Sequence, residues 1–261
     1  MHETERSPLR RAFYRSQERR FVRFEQRSWQ EVAAVVATSE REAEIVRRHA
    51  PDTLVAAVPN GVDVEYFRPD PAPVEPGALV FNGVLDYRPN IDGVNFLVDE
   101  VLPLVRRRRP DVKVRVVGRG SESAVEALRR RGVDATGEVP DVRPYLQGAE
   151  VVVVPIRMGS GTRLKVVEGL AMGKPVVSTT LGCEGVNVRD GEHLLIGDTA
   201  EVFALQILHL FEHPEVGEAL GRAGRELTER EYSWDYAGER LEDVYQQSLR
   251  GSARPRDRVT T

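Results

Sequence analysis

The chain has 261 residues, 41% of them hydrophobic and 30% charged, enough to bury one α/β core or one core with a small appendage. Its formal net charge of -4 argues against a nucleic-acid backbone as the main partner, because that partner selects for basic surfaces. The lone Cys183 can form neither an internal disulfide nor a metal site by itself, no apolar run reaches the ~18 residues of a membrane span, and the first residues do not read as a signal peptide, so a soluble cytoplasmic protein is predicted.

From Arg10 to Gln30 the apolar positions Phe13, Phe21, Phe24 and Trp29 are spaced among charges, which predicts one amphipathic, arginine-rich helix and leaves peripheral membrane contact open. The apolar run 32–37 reads as a strand, with Thr38 and Ser39 capping a helix that reaches Arg48. A short strand at 54–58 ends in Pro59-Asn60-Gly61, where Asn-Gly is expected to supply the positive φ of a tight turn. The proline-rich stretch 69–77 is the expected main boundary.

Beyond it the pattern becomes regular. Strands are predicted at 78–83, 112–117, 135–139, 151–155, 175–179 and 193–196, and helices at 91–108, 121–131, 142–147 and 163–172 alternate with them. Helices at 200–211, 214–232 and 235–249 follow. Continuous apolar strands alternating with helices predict an α/β fold with a doubly wound parallel sheet buried on both faces. The arginine run 106–109 reads as a solvated helix end, and His209 and His213, four apart with no further ligand, do not make a metal site.

Ligands of such sheets sit at the carboxyl ends of the strands, and three strand ends carry suitable residues. Phe81-Asn82-Gly83 runs toward Pro89-Asn90, where Asn90 is a candidate helix cap. Val117-Gly118-Arg119-Gly120 precedes Ser121, another candidate cap. The third is the most informative: strand 151–155, then Gly159-Ser160-Gly161-Thr162, then a helix bearing Arg163, Lys165 and Glu168. Amides at a helix N-terminus with two cations beside them suit a phosphate, and a carboxylate within the same helix suits sugar hydroxyls. The competing reading has Arg163 and Lys165 facing solvent, with Glu168 paired to one of them in an ordinary helix salt bridge. The loop matches neither a Walker A sequence nor the Gly-x-Gly-x-x-Gly fingerprint.

Residues 159–175, Pro59-Asn60-Gly61-Val62-Asp63, Phe81-Asn82-Gly83 with Pro89-Asn90, and Tyr232-Ser233-Trp234 resemble, in order and spacing, the retaining GT-B glycosyltransferases of family 4 across about residues 30 to 250. The resemblance implies a Rossmann-like donor domain at 76–232 that binds a nucleotide diphosphate sugar, with no cofactor beyond that donor and no metal. A remnant of the N-terminal acceptor domain plus linker would occupy 1–75, and a C-terminal helix and tail 233–261. It further implies that Glu168 binds the donor ribose, that Arg163 and Lys165 with the amides of Gly161 and Thr162 hold the diphosphate, that Gly83 leaves room for it, and that Val139 lies near the base.

Two departures stand out. Ser160 occupies the position of the family's sugar-contacting glutamate, and most of an acceptor domain is missing from the residues before 76. The expected reaction is transfer of a sugar with retention to an acceptor the residues do not identify, in polysaccharide or glycoconjugate synthesis. An acceptor-domain protein partner or self-association would complete the site. The alternative is a nucleotide-sugar binding or regulatory module without catalysis.

Overall fold

Valine and other β-branched residues crowd the pleated, doubly covered surface of a parallel sheet, and the most apolar stretches of this chain become its innermost strands. A computed structural model describes residues 7–159 and 161–252. Ser160 therefore lies outside the described residues, as do the ends of the chain. The chain divides into two compact units, one formed by 1–59 with 238–261 and the other by 60–237.

In the first unit α1 (Pro8–Glu31) and α2 (Glu40–His49) accompany a two-stranded parallel sheet of β1 (Ala34–Ala37) and β2 (Leu54–Ala57), with Ala34 opposite Leu54. Ser39 caps α2 as expected, accepting a hydrogen bond from the Glu42 amide at 3.3 Å. Thr53 Oγ1 donates to the Trp29 carbonyl at 2.9 Å and Gln30 Nε2 to the His49 carbonyl at 3.0 Å, tying α1 to the β2 side of this unit. No residue of α1 is buried, and Phe13, Phe21 and Phe24 are 58%, 61% and 66% exposed.

The second unit carries six parallel strands: β3 (Ala78–Asn82), β4 (Lys113–Val117), β5 (Asp134–Gly137), β6 (Val151–Val154), β7 (Val176–Ser178) and β8 (Leu195–Ile196). Their order is β5-β4-β3-β6-β7-β8, so the direction of winding reverses between β3 and β6. That is the doubly wound arrangement, whose ligands bind at the crevice where the order reverses. Every residue of β3 and β6 is buried. The expected strand through Val139 stops at Gly137, which has φ +77°, and Val139 instead packs half-buried on the core.

Flanking helices complete this unit. α3 (Arg88–Phe96) continues through a π-helical stretch, Leu97–Val101, into α4 (Leu102–Arg106). α5 (Glu122–Arg129), α6 (Arg143–Gly148), α7 (Leu164–Ala171), α8 (Ala200–Glu212) and α9 (Pro214–Glu231) follow; the final helix α10 (Trp234–Ser252) begins in this unit and passes into the first at Gly238. The rings of Phe96 and Phe203 meet edge to face at 6.0 Å, joining α3 to α8 in the core. Among the described residues no helix is long and apolar enough to cross a membrane.

Two sequence expectations change here. Gly61 does not take a positive φ; a Cβ on it would lie 2.7 Å from Cδ2 of Trp234, so the glycine is needed for close approach to the indole. Ser121 stands at the N-cap of α5 without a side-chain cap, because its hydroxyl donates to Asp86 at 3.0 Å instead.

One side chain of α9 fastens the segment that precedes β3. Arg225 Nη1 donates to the carbonyls of Val64, Phe67 and Ala171 at 2.9, 2.6 and 2.7 Å, the last of these at the end of α7, where helical carbonyls lack internal partners. Arg225→Met keeps the aliphatic stem and leaves three carbonyls without the cation. A loss of about 2–4 kcal/mol is expected from charged-donor bonds that do not add independently, measured by urea unfolding. A loss below about 0.5 kcal/mol would show that the linkage is incidental.

Candidate functional site

The crevice between β3 and β6 is built from two strand ends. β3 delivers Asn82 and Gly83. β6 delivers the buried Pro155 and Ile156, and the chain then turns through Gly159 and Gly161, whose φ values of +94° and +96° suit glycine, before entering α7. Leu164 is the first residue of α7 and Arg163 its N-cap, one residue later than the expected start.

Arg163 is 8% exposed. Its Nε points at the Leu181 carbonyl at 3.5 Å and its Nη2 at the Met158 carbonyl at 3.4 Å, so the guanidinium binds the loop to the segment that follows β7. That segment is itself pinned to β6, since Thr179 Oγ1 donates to the Ile156 carbonyl and Ser178 Oγ to the Val154 carbonyl. Gly161 and Thr162 lie half-buried between Arg163 and the strand end.

Lys165 and Glu168 both reach across the crevice to the β3 side. Lys165 Nζ donates to Asn90 Oδ1 at 2.7 Å and lies 4.1 Å from the centre of the Phe81 ring. Glu168 Oε2 accepts from Asn82 Nδ2 at 2.7 Å. Both side chains are half-buried and hydrogen-bonded to asparagines across the crevice, so the competing picture of an ordinary surface salt bridge does not describe them. Gly83 is essential to the arrangement: a Cβ there would lie 2.7 Å from Lys165 Nζ and 2.8 Å from Asn90 Nδ2. The structure thus brings Gly83, Lys165 and Glu168 together, with Arg163, Gly161 and Thr162 on the adjoining loop. Val139 belongs to the segment after β5, two strands along from β3.

The electrostatics follow from burial. Loss of hydration lowers the Lys165 pKa to about 7, opposed by Glu168 and assisted by Arg163. The same loss of hydration raises the Glu168 pKa, opposed by the Asn82 hydrogen bond and by Lys165. A cation and a carboxylate held out of water beside glycine backbone form a preorganised polar site, able to neutralise an anion and to accept hydrogen bonds from hydroxyls. Among the described residues no three His, Cys, Asp or Glu side chains lie together in a way that could hold a metal ion.

Two asparagines carry more of this site than their sequence positions suggest. Asn90 does not cap α3; Tyr87 holds that position, and the Asn90 amide is buried against Lys165 and the Val84 carbonyl. Asn82 is 7% exposed, and its Oδ1 has no hydrogen-bond partner among the described residues. The available signal was a polar residue closing an otherwise apolar strand, Ala78-Leu79-Val80-Phe81-Asn82, at a strand end that faces ligands. Arg157, inside the same motif, is turned away from the crevice by ion pairs to Asp92 at 3.1 Å and Glu100 at 3.2 Å.

The family described as "Glycosyl transferases group 1" matches residues 76–213, just over half of the chain. A GDP-mannose-dependent monoacylated alpha-(1-6)-phosphatidylinositol monomannoside mannosyltransferase of Corynebacterium glutamicum is 27% identical over 216 residues, covering 74% of this chain and 56% of that protein. A D-inositol 3-phosphate glycosyltransferase of Streptomyces bingchenggensis is 30% identical over 249 residues, covering 85% of this chain and 54% of its own length. The chain therefore spans about half the length of these curated relatives.

Among solved structures, S. aureus TarM in complex with Fondaparinux, alpha-GlcNAc-glycerol and UDP superimposes with a TM-score of 0.71 at 15% identity, over 85% of this chain and 46% of that one. Anabaena HepE in complex with UDP gives 0.70 at 15% identity, over 83% and 64%. At these identities the likeness speaks for the fold alone. By the family match over its six-stranded unit, and with a fold shared with GT-B glycosyltransferases, the chain belongs to the glycosyl transferases group 1 family.

Proposed function

We propose that the crevice between β3 and β6 binds a nucleotide diphosphate sugar, and that the chain is the donor half of a glycosyltransferase acting with retention at the anomeric carbon. The observation that carries this reading is that α7 sends Lys165 over Gly83 to Asn90 and Glu168 to Asn82 at the point where the strand order reverses. Lys165, the amides of Gly161 and Thr162, and Arg163 through its hold on the loop would receive the diphosphate and stabilise it as it leaves. Glu168 would accept the ribose hydroxyls. Val139, on the segment after β5, would stand near the base.

The acceptor is then bound by a second domain, supplied by a partner polypeptide, by self-association or by further chain. Two observations support that part: the match covers only 56% and 54% of the curated relatives' own length, and a two-stranded parallel sheet is far short of the buried sheets in which parallel strands are stable. The exposed phenylalanines of α1, set among arginines, suit such a partner or the surface of a membrane. A second reading, a nucleotide-sugar binding module without turnover, is favoured by Ser160 in place of a sugar-contacting carboxylate.

Calorimetric titration with UDP, GDP and their sugars tests the donor site. Binding of at least one is expected, and Glu168→Ala should weaken it about 5- to 50-fold through the lost hydroxyl contacts. If no nucleoside diphosphate binds, both readings fail. If one binds, release of nucleotide from the donor sugar in the presence of a candidate acceptor separates the enzyme from the module.

A further inference from the structure

We propose that Asn90 is a positioning residue for diphosphate binding, holding the Lys165 ammonium over Gly83 where the anion is received. This rests on the donor-site reading above and adds to it a residue from α3, outside both the glycine loop and α7.

The amide of Asn90 is 6% exposed and can face only one way. Its Nδ2 donates to the Val84 carbonyl at 2.7 Å, which obliges Oδ1 to face Lys165 Nζ, also at 2.7 Å. A flipped amide would set oxygen against the carbonyl and hydrogens against the ammonium, so both contacts would turn repulsive. The backbone of Val84 thereby fixes an acceptor, and the acceptor fixes the cation. The ring of Phe81 at 4.1 Å closes one side of the ammonium, and Gly83 leaves the adjoining space without a side chain.

The charged groups that act on Lys165 are Glu168 and Arg163, both on its own helix or its cap. Among the described residues its contacts from β3, the glycine after it and α3 are Phe81, Gly83 and Asn90, with Asn82 on Glu168 beside it, and none of these carries a charge. Holding the proton on a desolvated amine therefore depends on Glu168 and on the one oriented acceptor from α3. That acceptor favours the ammonium over the amine, and an arriving diphosphate favours it further, so binding and proton uptake are linked.

Calorimetry with UDP and GDP, repeated from about pH 6 to 9, tests the assignment. In the unaltered chain affinity should fall as pH rises through about 7, with uptake of a proton on binding above that pH. Asn90→Ala should lower affinity ~5- to 10-fold at the acid end and move the fall to lower pH. Asn90→Asp, nearly the same shape but with no donor for the Val84 carbonyl, should move the fall to higher pH because a carboxylate now faces the ammonium, while weakening binding throughout by repelling the diphosphate and losing the Val84 anchor.

Opposite displacements of the pH profile are not produced by a merely structural role. If Asn90→Ala does not fold, Asn90→Asp decides alone. An unchanged pH profile in the folded variants overturns the proposal even though the unaltered chain binds. Failure of the unaltered chain to bind either nucleotide overturns the donor-site reading and the proposal with it.

Discussion

Lys165→Ala is expected to weaken nucleoside diphosphate binding about 10- to 150-fold at neutral pH and, in the same variant, to raise the melting temperature at about pH 6. The first effect is the loss of a charged donor, a class of contact that contributes about 1.5–3 kcal/mol. The second follows from linkage. The unfolded chain keeps the Lys165 proton up to the ordinary lysine range near 10.4, whereas the folded chain releases it near 7. Between those values the unfolded state holds more protons, so stability rises with pH across that window. Below about 7 the ammonium is charged in both states and the folded chain carries the full penalty of its burial.

Each unit of displacement corresponds to ~1.4 kcal/mol, so alanine removes on the order of a few kcal/mol of penalty at the acid end. Glu168 loses its cationic neighbour in this variant. Its pKa, already raised by burial, moves further up once the cation that opposed the rise is gone. Thermal melts at about pH 6 and 9 measure the stability arm and calorimetry the binding arm. A variant that melts lower than the parent at pH 6, or binds as tightly, would refute this account of Lys165. A site that costs stability until its ligand arrives is the ordinary trade between function and folding.

Most of the fold was legible because its strands are nearly pure aliphatic sequence. Val151 to Val154 can satisfy burial on both faces only in the middle of a parallel sheet, and it lies there. Legibility failed where one residue type serves two physical ends. Asn90 has the chemistry of a helix cap and stands third in α3, yet its amide is spent on Lys165 and Val84, neither of which adjoins it in sequence. Asn60-Gly61 has the composition of a positive-φ turn, but the glycine answers to the bulk of Trp234, 173 positions away. The π-helical stretch 97–101 has no local signature either, since its residues continue the apolar periodicity of the helices around it.

For the candidate site, the sequence points to residues on one segment and leaves out those that other elements bring to it. The glycine loop, Lys165 and Glu168 announced an anion beside a hydroxyl acceptor because they fall within ten residues of one another. Asn82 and Asn90 arrive from another strand and helix, and only the reversal between β3 and β6 brings them opposite α7. Arg163 shows the converse. Its charge suggested direct contact with phosphate, while its buried guanidinium meets the Leu181 and Met158 carbonyls, which makes it a brace for the loop.

The two glycines that follow β3 and β4 should respond very differently to the same substitution. Gly118→Ala is expected to destabilise the chain by about 3–5 kcal/mol or to prevent folding. Its φ is +149°, and a Cβ would fall well inside contact distance of the Gly83 carbonyl oxygen and carbon. Those atoms cannot withdraw, because the Gly83 amide donates to Val117 O at 2.9 Å and the Gly118 amide to Gly137 O at 3.1 Å, holding both backbones in the sheet. Gly83→Ala meets instead the ends of two side chains, Lys165 Nζ and Asn90 Nδ2, which can move. The fold should survive with a loss of about 1–2 kcal/mol, while the ammonium is expelled from its seat and nucleotide binding falls about as far as in Lys165→Ala. Urea unfolding of both variants, with calorimetry on the folded one, separates the outcomes. Equal stability losses would mean that the strand ends tolerate or reject a methyl group alike. Tight binding by Gly83→Ala would mean that the ammonium does not receive the anion over Gly83, and the site would then have to be sought elsewhere along the carboxyl edge of the sheet.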